Sequence, residues 1–133
     1  MEVRKNIAVL LAPLWALTVA VLSLIPPSDI PSPGFLFPHI DKVVHFVFYY
    51  VFFILWYYAW NKGDISVVSK RSVLLSLLMA LLFGTVVEVL QYVMNIGRSG
   101  DVRDALANTA GAICGFFTVI LINAVYKGLK RKN

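Results

Sequence analysis

EVLQYVMNIGRSGDVRDALANTAGAICG, residues 88–115, joins two strongly apolar stretches yet holds Glu88, Gln91, Arg98, Asp101, Arg103, Asp104 and Asn108. On its upstream side the strongly polar residues of Val73–Met94 are Glu88 and Gln91. On its downstream side those of Ala105–Tyr126 are asparagines. Both runs are long enough to cross the roughly 30 Å of hydrocarbon in a bilayer, so the stretch reads as the turn between two membrane-spanning helices. Two further runs of similar kind precede it: Ile7–Ile25 has no charge, and Val43–Trp60 has His45 and tyrosines as its titratable groups.

Composition agrees with that reading. Of 133 residues, 59% are apolar and 14% charged, where a soluble domain has roughly half and a quarter. The expected fold class is an all-α integral membrane protein, one domain over 1–133, with four transmembrane helices in a bundle over about 7–25, 43–60, 73–94 and 105–126. The first run follows Arg4 and Lys5 as a signal peptide would, but it ends in Pro26-Pro27 without a small-x-small cleavage pattern and is expected to be retained as a helix. The one cysteine, Cys114, is expected to behave as a small buried hydrophobe.

Charge sets the orientation. Arg4, Lys5, Lys62, Lys70, Arg71, Lys127, Lys130, Arg131 and Lys132 fall in segments that four crossings place on one side; Lys42, Arg98 and Arg103 fall on the other. The positive-inside rule predicts both termini in the cytoplasm, in a multi-pass protein of the bacterial cytoplasmic membrane. The net charge of +5 is therefore read as topology and contact with anionic lipid rather than nucleic-acid binding. The outer connection PPSDIPSPGFLFPHI, with five of the six prolines, cannot sustain a helix, and its apolar GFLF is expected to touch the membrane interface or to cover a site.

With this topology, polar residues from three helices reach the outer end. Asp41 and His45 are spaced i,i+4, Glu88 and Gln91 i,i+3, and Asp104 and Asn108 i,i+4, so each helix has one polar face there. At 1.5 Å rise per residue, His45, Glu88 and Asn108 lie roughly 5 to 9 Å below the boundary. Exposing such groups to lipid costs about 2.5 to 3.5 kcal/mol each, so the faces are expected to turn toward one another or toward a wet pocket. Lys42 stands at its edge. Arg98, between Gly97 and Gly100, is suited to bidentate contact with carboxylate or phosphate, and Asp101 or Asp104 is expected to cap the fourth helix. Gly111 and Gly115 form a small-xxx-small pair that lets another helix approach, without naming which.

DKVVHFVFYYVFFIL at 41–55, EVLQ at 88–91 and GRSGDVRDALANTAGAICG at 97–115 resemble the VanZ-like family of small bacterial four-helix membrane proteins. The resemblance covers Asp41, Lys42, His45, Glu88, Gln91, Arg98, Asp104, Asn108, Gly111 and Gly115; Asp101 falls outside the family pattern. It implies a link with teicoplanin resistance, a phenotype rather than a reaction.

Three functions follow from these residues. An enzyme or enzyme-like binder would act on a cell-envelope lipid or lipid-linked cell-wall precursor, with His45, Glu88 and Asp104 as acid–base residues and Asp41, Lys42, Gln91, Arg98, Asp101 and Asn108 binding the ligand. A non-catalytic module would bind a lipid, a lipoglycopeptide or an envelope protein with the same pocket. A structural network would use the polar groups only to fix helix packing, since interhelical hydrogen bonds in membranes average about 0.6 kcal/mol. The sequence calls for no cofactor or metal: Asp41, His45, Glu88 and Asp104 are conceivable hard ligands, but one buried imidazole without a dense ligand motif makes a weak metal site. His39, beside Pro38, is expected to face solvent. Oligomeric state is not encoded in any recognisable pattern.

Overall fold

The computed structural model describes residues 2–26, 39–64, 66–94 and 102–132. The helices are α1 (Glu2–Leu24), α2 (Ile40–Trp60), α3 (Lys70–Met94) and α4 (Val102–Lys132), with no strand among the described residues. All four are long and apolar enough to cross a membrane. In lipid the backbone must satisfy its own polar groups, and a helix does so within one segment. The helices run past the apolar stretches, α4 as far as Lys132, because charged and polar residues at the ends continue the hydrogen-bonded ladder in the headgroup layer.

Side-chain contacts give the directions. Lys42, His45 and Tyr50 of α2 meet Asp104, Asn108 and Thr118 of α4 in the same order, so these helices are parallel. Gln91 near the end of α3 meets Ser23 near the end of α1, and Asn61 after α2 meets Ser72 at the start of α3. The chain therefore runs up, down, up and down, and the start of α1 and the end of α4 share one end of the bundle. α2 packs on all three other helices, while α1 and α4 do not touch among the described residues.

The buried positions follow helical periods. α3 turns inward Ser72, Ser76, Ala80, Gly84, Val87 and Gln91, and α2 turns inward His45, Tyr49, Phe52, Phe53 and Tyr57. Leu, Val and Ile side chains dominate the outer surface, as expected of helices solvated by lipid. α1 is tied to α2 by the Trp15 indole, which donates to the Phe48 carbonyl at 3.0 Å and packs edge-on against its ring. Cys114 is exposed, contrary to the expectation of burial, because α4 turns Gly111, Ala112 and Gly115 inward and leaves Ile113 and Cys114 outside. His39 is exposed, in left-handed conformation (φ 67) ahead of α2.

Gly111 and Gly115 pack on α2. A Cβ at Gly111 would collide with the Phe46 carbonyl oxygen, and one at Gly115 would meet the Tyr50 carbonyl at 3.0 Å. Gly111→Ala is expected to destabilise the bundle by about 1–3 kcal/mol through overpacking. Gly128→Ala, where a Cβ meets nothing within 4 Å, should leave stability unchanged or raise it. Unfolding of both variants in mixed micelles checks the contrast.

Candidate functional site

At the end of the bundle away from the termini, the first turns of α2 and α4 lie side by side. Lys42 Nζ donates to Asp104 Oδ1 at 2.5 Å and contacts Asp41 Oδ2 at 2.7 Å. Asp104 is buried, whereas Asp41 keeps 41% of its side chain exposed. Asp104 lies within the first turn of α4 rather than at its cap, at the positive end of the helix dipole. Lys42 is thus held between a buried and an open carboxylate.

One turn deeper, the buried His45 and Asn108 meet. Nδ1 of His45 lies 3.0 Å from Asn108 Oδ1. An amide oxygen only accepts, so Nδ1 is the donor of this bond, and in the neutral form of the ring the lone pair then falls on Nε2. That nitrogen lies 3.9 Å from Asp104 Oδ2, too far for a direct hydrogen bond. The arrangement can take a proton at Nε2 and hold the resulting imidazolium beside the Asp104 carboxylate.

Glu88 of α3 stands within electrostatic range of the Tyr49 hydroxyl on α2, and one of its carboxyl oxygens is buried. Gln91 turns elsewhere: its Nε2 donates to the Ser23 carbonyl at 2.7 Å, satisfying one of the last carbonyls of α1 that have no helical partner. The structure therefore brings together Asp41, Lys42, His45, Asp104 and Asn108, sets Glu88 on the adjoining face of α3, and assigns Gln91 to the α1–α3 seam. Arg98 and Asp101 lie outside the described residues, as do Gly97, Gly100 and GFLF. Among the described residues no group of three or more His, Cys, Asp or Glu converges as metal ligands do.

Sequence reasoning passed over Tyr49. Its hydroxyl is buried without a hydrogen-bond partner among the described residues, beneath the space left by Gly84, whose added Cβ would come within 3.2 Å of it. The signal was present: Tyr49 continues the i,i+4 series of Asp41 and His45, but among many aromatics it read as packing. This buried hydroxyl sets a polar group of α2 against α3, where Glu88 lies within electrostatic range.

The family model described as VanZ/LLP1 matches residues 3–123. The chain belongs to the VanZ/LLP1 family. The match runs through all four helices, so both walls of the α2–α4 polar cluster fall within it. The comparison with curated proteins gives no match, and neither does the comparison with solved structures.

Removing Lys42 leaves the buried Asp104 without the ammonium that pairs with it. Lys42→Met is expected to destabilise the VanZ/LLP1 bundle by about 1–3 kcal/mol, and Lys42→Met with Asp104→Leu by less than the sum of the single changes. A double-mutant cycle on unfolding checks this, and additivity would show that the pair is not coupled.

Proposed function

We propose that this VanZ/LLP1 protein binds or modifies a cell-envelope lipid, lipid-linked precursor or glycopeptide ligand in an outward-facing polar pocket at the end of the bundle away from the termini. The observation that carries the reading is the set Lys42–Asp104–His45–Asn108, in which a charge pair sits against an imidazole whose Nε2 makes no hydrogen bond among the described residues. Ionisable groups inside a membrane bundle are expensive to keep, and they mark sites of binding or proton transfer. An anionic headgroup entering from the interface would meet the Lys42 ammonium and displace the exposed Asp41 before the buried Asp104. A hydroxyl or water brought to Nε2 would pass its proton to His45, with Asp104 steadying the cation and Asn108 holding the ring. In this reading Glu88 lines the third side, and Arg98 and Asp101 contribute from the connection before α4.

The proposed orientation places both termini in the cytoplasm of a bacterial cell, from the nine cations of twelve that share the termini's end. The pocket then faces the envelope, where the teicoplanin-type resistance implied by the family resemblance would arise from altered envelope lipid or altered drug access. The second reading, that the polar residues only fix helix packing, is favoured by the Gln91–Ser23 and Trp15–Phe48 bonds, in which a polar side chain of one helix is spent on a backbone carbonyl of another.

The test uses purified protein with lipid-linked cell-wall precursors, followed by mass spectrometry of the lipid. A catalytic site gives a mass change that His45→Gln lowers by about 10²- to 10⁴-fold. A recognition site gives saturable retention without mass change, weakened by Lys42→Met. If His45→Gln and Asp104→Asn lower membrane abundance in step with every activity, the packing reading replaces both.

A further inference from the structure

The opposite end of the bundle has its own polar cleft. α2 ends at Trp60 in a reversing turn, where the Gly63 N–H bonds the Tyr58 carbonyl at 2.8 Å and the Lys62 N–H reaches the Ala59 carbonyl at 3.4 Å. The position that closes such a turn takes left-handed backbone and normally holds glycine. Here it is Lys62, with φ 55. A side chain is strained in that conformation, and strain of this kind is kept where the residue serves a purpose.

Lys62 and Arg71 line a cleft of about 370 Å³ with Trp60, Asn61, Ser69 and Ser72. That size is within the range of small-molecule sites. Among the described residues neither cation has an ion-pair partner. The acid of the same turn, Asp64, is engaged with Ser66, whose N–H and hydroxyl reach its carboxylate at 2.7 and 2.6 Å. These bonds hold the Asp64 carboxyl below its ordinary range.

The floor of the cleft is made of hydroxyls and an amide. Ser69 Oγ accepts from the Ser72 N–H at 3.2 Å and shares a hydrogen bond of 3.1 Å with the Ser72 hydroxyl, which also lies 3.5 Å from Asn61 Oδ1. Asn61 is fixed beside it by the Asp64 and Val67 carbonyls at 2.6 and 3.1 Å. Ser69 also opens α3, so the first-turn N–H groups of Lys70 and Arg71 lack helical acceptors and present the positive end of a long helix. Two cations without an ion-pair partner among the described residues, two serine hydroxyls and a helix start converge on one opening, a donor set that matches a phosphate.

We propose that this cleft is a phosphate site, occupied by the headgroup phosphate of an anionic lipid in the leaflet at the termini's end of the bundle. Two features favour a lipid over a free anion: Trp60, 41% exposed at the rim, is a residue type that settles at the headgroup level, and the cleft opens where the apolar spans α2 and α3 end. Three of the nine cations at this end, Lys62, Lys70 and Arg71, belong to the connection or to the first turn of α3.

The experiment titrates the purified full chain in neutral micelles with short-chain phosphatidylglycerol, with phosphatidylcholine and, separately, with inorganic phosphate, and counts bound species by native mass spectrometry. Phosphatidylglycerol is expected to be retained in preference to phosphatidylcholine, and Lys62→Gly with Arg71→Gln to weaken it about tenfold or more. Lys62→Gly by itself relieves the left-handed strain, so a thermal midpoint at or above that of the parent certifies that the weakening is not unfolding. Lys127→Gln with Lys130→Gln removes as much charge from the tail and should cause a smaller loss. Binding of inorganic phosphate without lipid retention upholds the phosphate site and assigns it to a free anion. Equal retention of the two lipids together with no phosphate binding overturns the proposal, as does an equal loss from the tail variant, which would reduce the effect to general surface charge.

Discussion

The close approach of α2 and α4 is the constraint on which the rest of the structure depends. In a bilayer no hydrophobic force draws one apolar helix to another, so backbones come together where side chains are small enough to let them. At Gly111 and Gly115 there is no side chain at all, and the Phe46 and Tyr50 carbonyls occupy the space a Cβ would need. That contact fixes the register between the helices. Given it, Asn108 comes opposite His45, Asp104 opposite Lys42 and Thr118 opposite Tyr50. The polar pairs are consequences of a fit made by glycine, and their short distances reflect a backbone separation that larger residues would forbid.

Because α2 is the shared wall, its faces carry different duties. One face meets α4 through backbone and polar contacts. Another supplies Phe48 to Trp15 of α1, and a third lays Tyr49 beneath Gly84 of α3 while Phe52 stacks on Phe83 at 5.0 Å. This aromatic middle separates two polar ends of different chemistry. At one end carboxylates, an ammonium and an imidazole face each other. At the other, the cations Lys62 and Arg71 line a cleft with the Ser69 and Ser72 hydroxyls.

Much of this architecture was legible without coordinates. Four apolar runs of spanning length imply four helices, since lipid leaves the backbone no other single-segment solution. The i,i+4 spacings of Asp41 with His45 and of Asp104 with Asn108 announce two polar faces at one end. The ends of the helices were less legible, because hydropathy stops at the edge of the hydrocarbon while the backbone ladder does not. Cys114 was misjudged for a related reason: in a lipid-solvated helix an apolar residue has no preference between the inside and the outside, so hydrophobicity alone says nothing about its facing.

The sequence by itself determined the membrane class, the number of spans, and which polar residues share a face and a depth, because these depend on composition and on the period of a single helix. Only the tertiary structure decided which faces meet. Nothing in the spacing of Gly111 and Gly115 says that their partner is the Phe46–Tyr50 stretch, and nothing in Glu88 and Gln91, one turn apart, says that the first faces Tyr49 while the second closes the end of α1. Those choices belong to the fit between helices, where a missing Cβ or a spare carbonyl on one selects its neighbour on another.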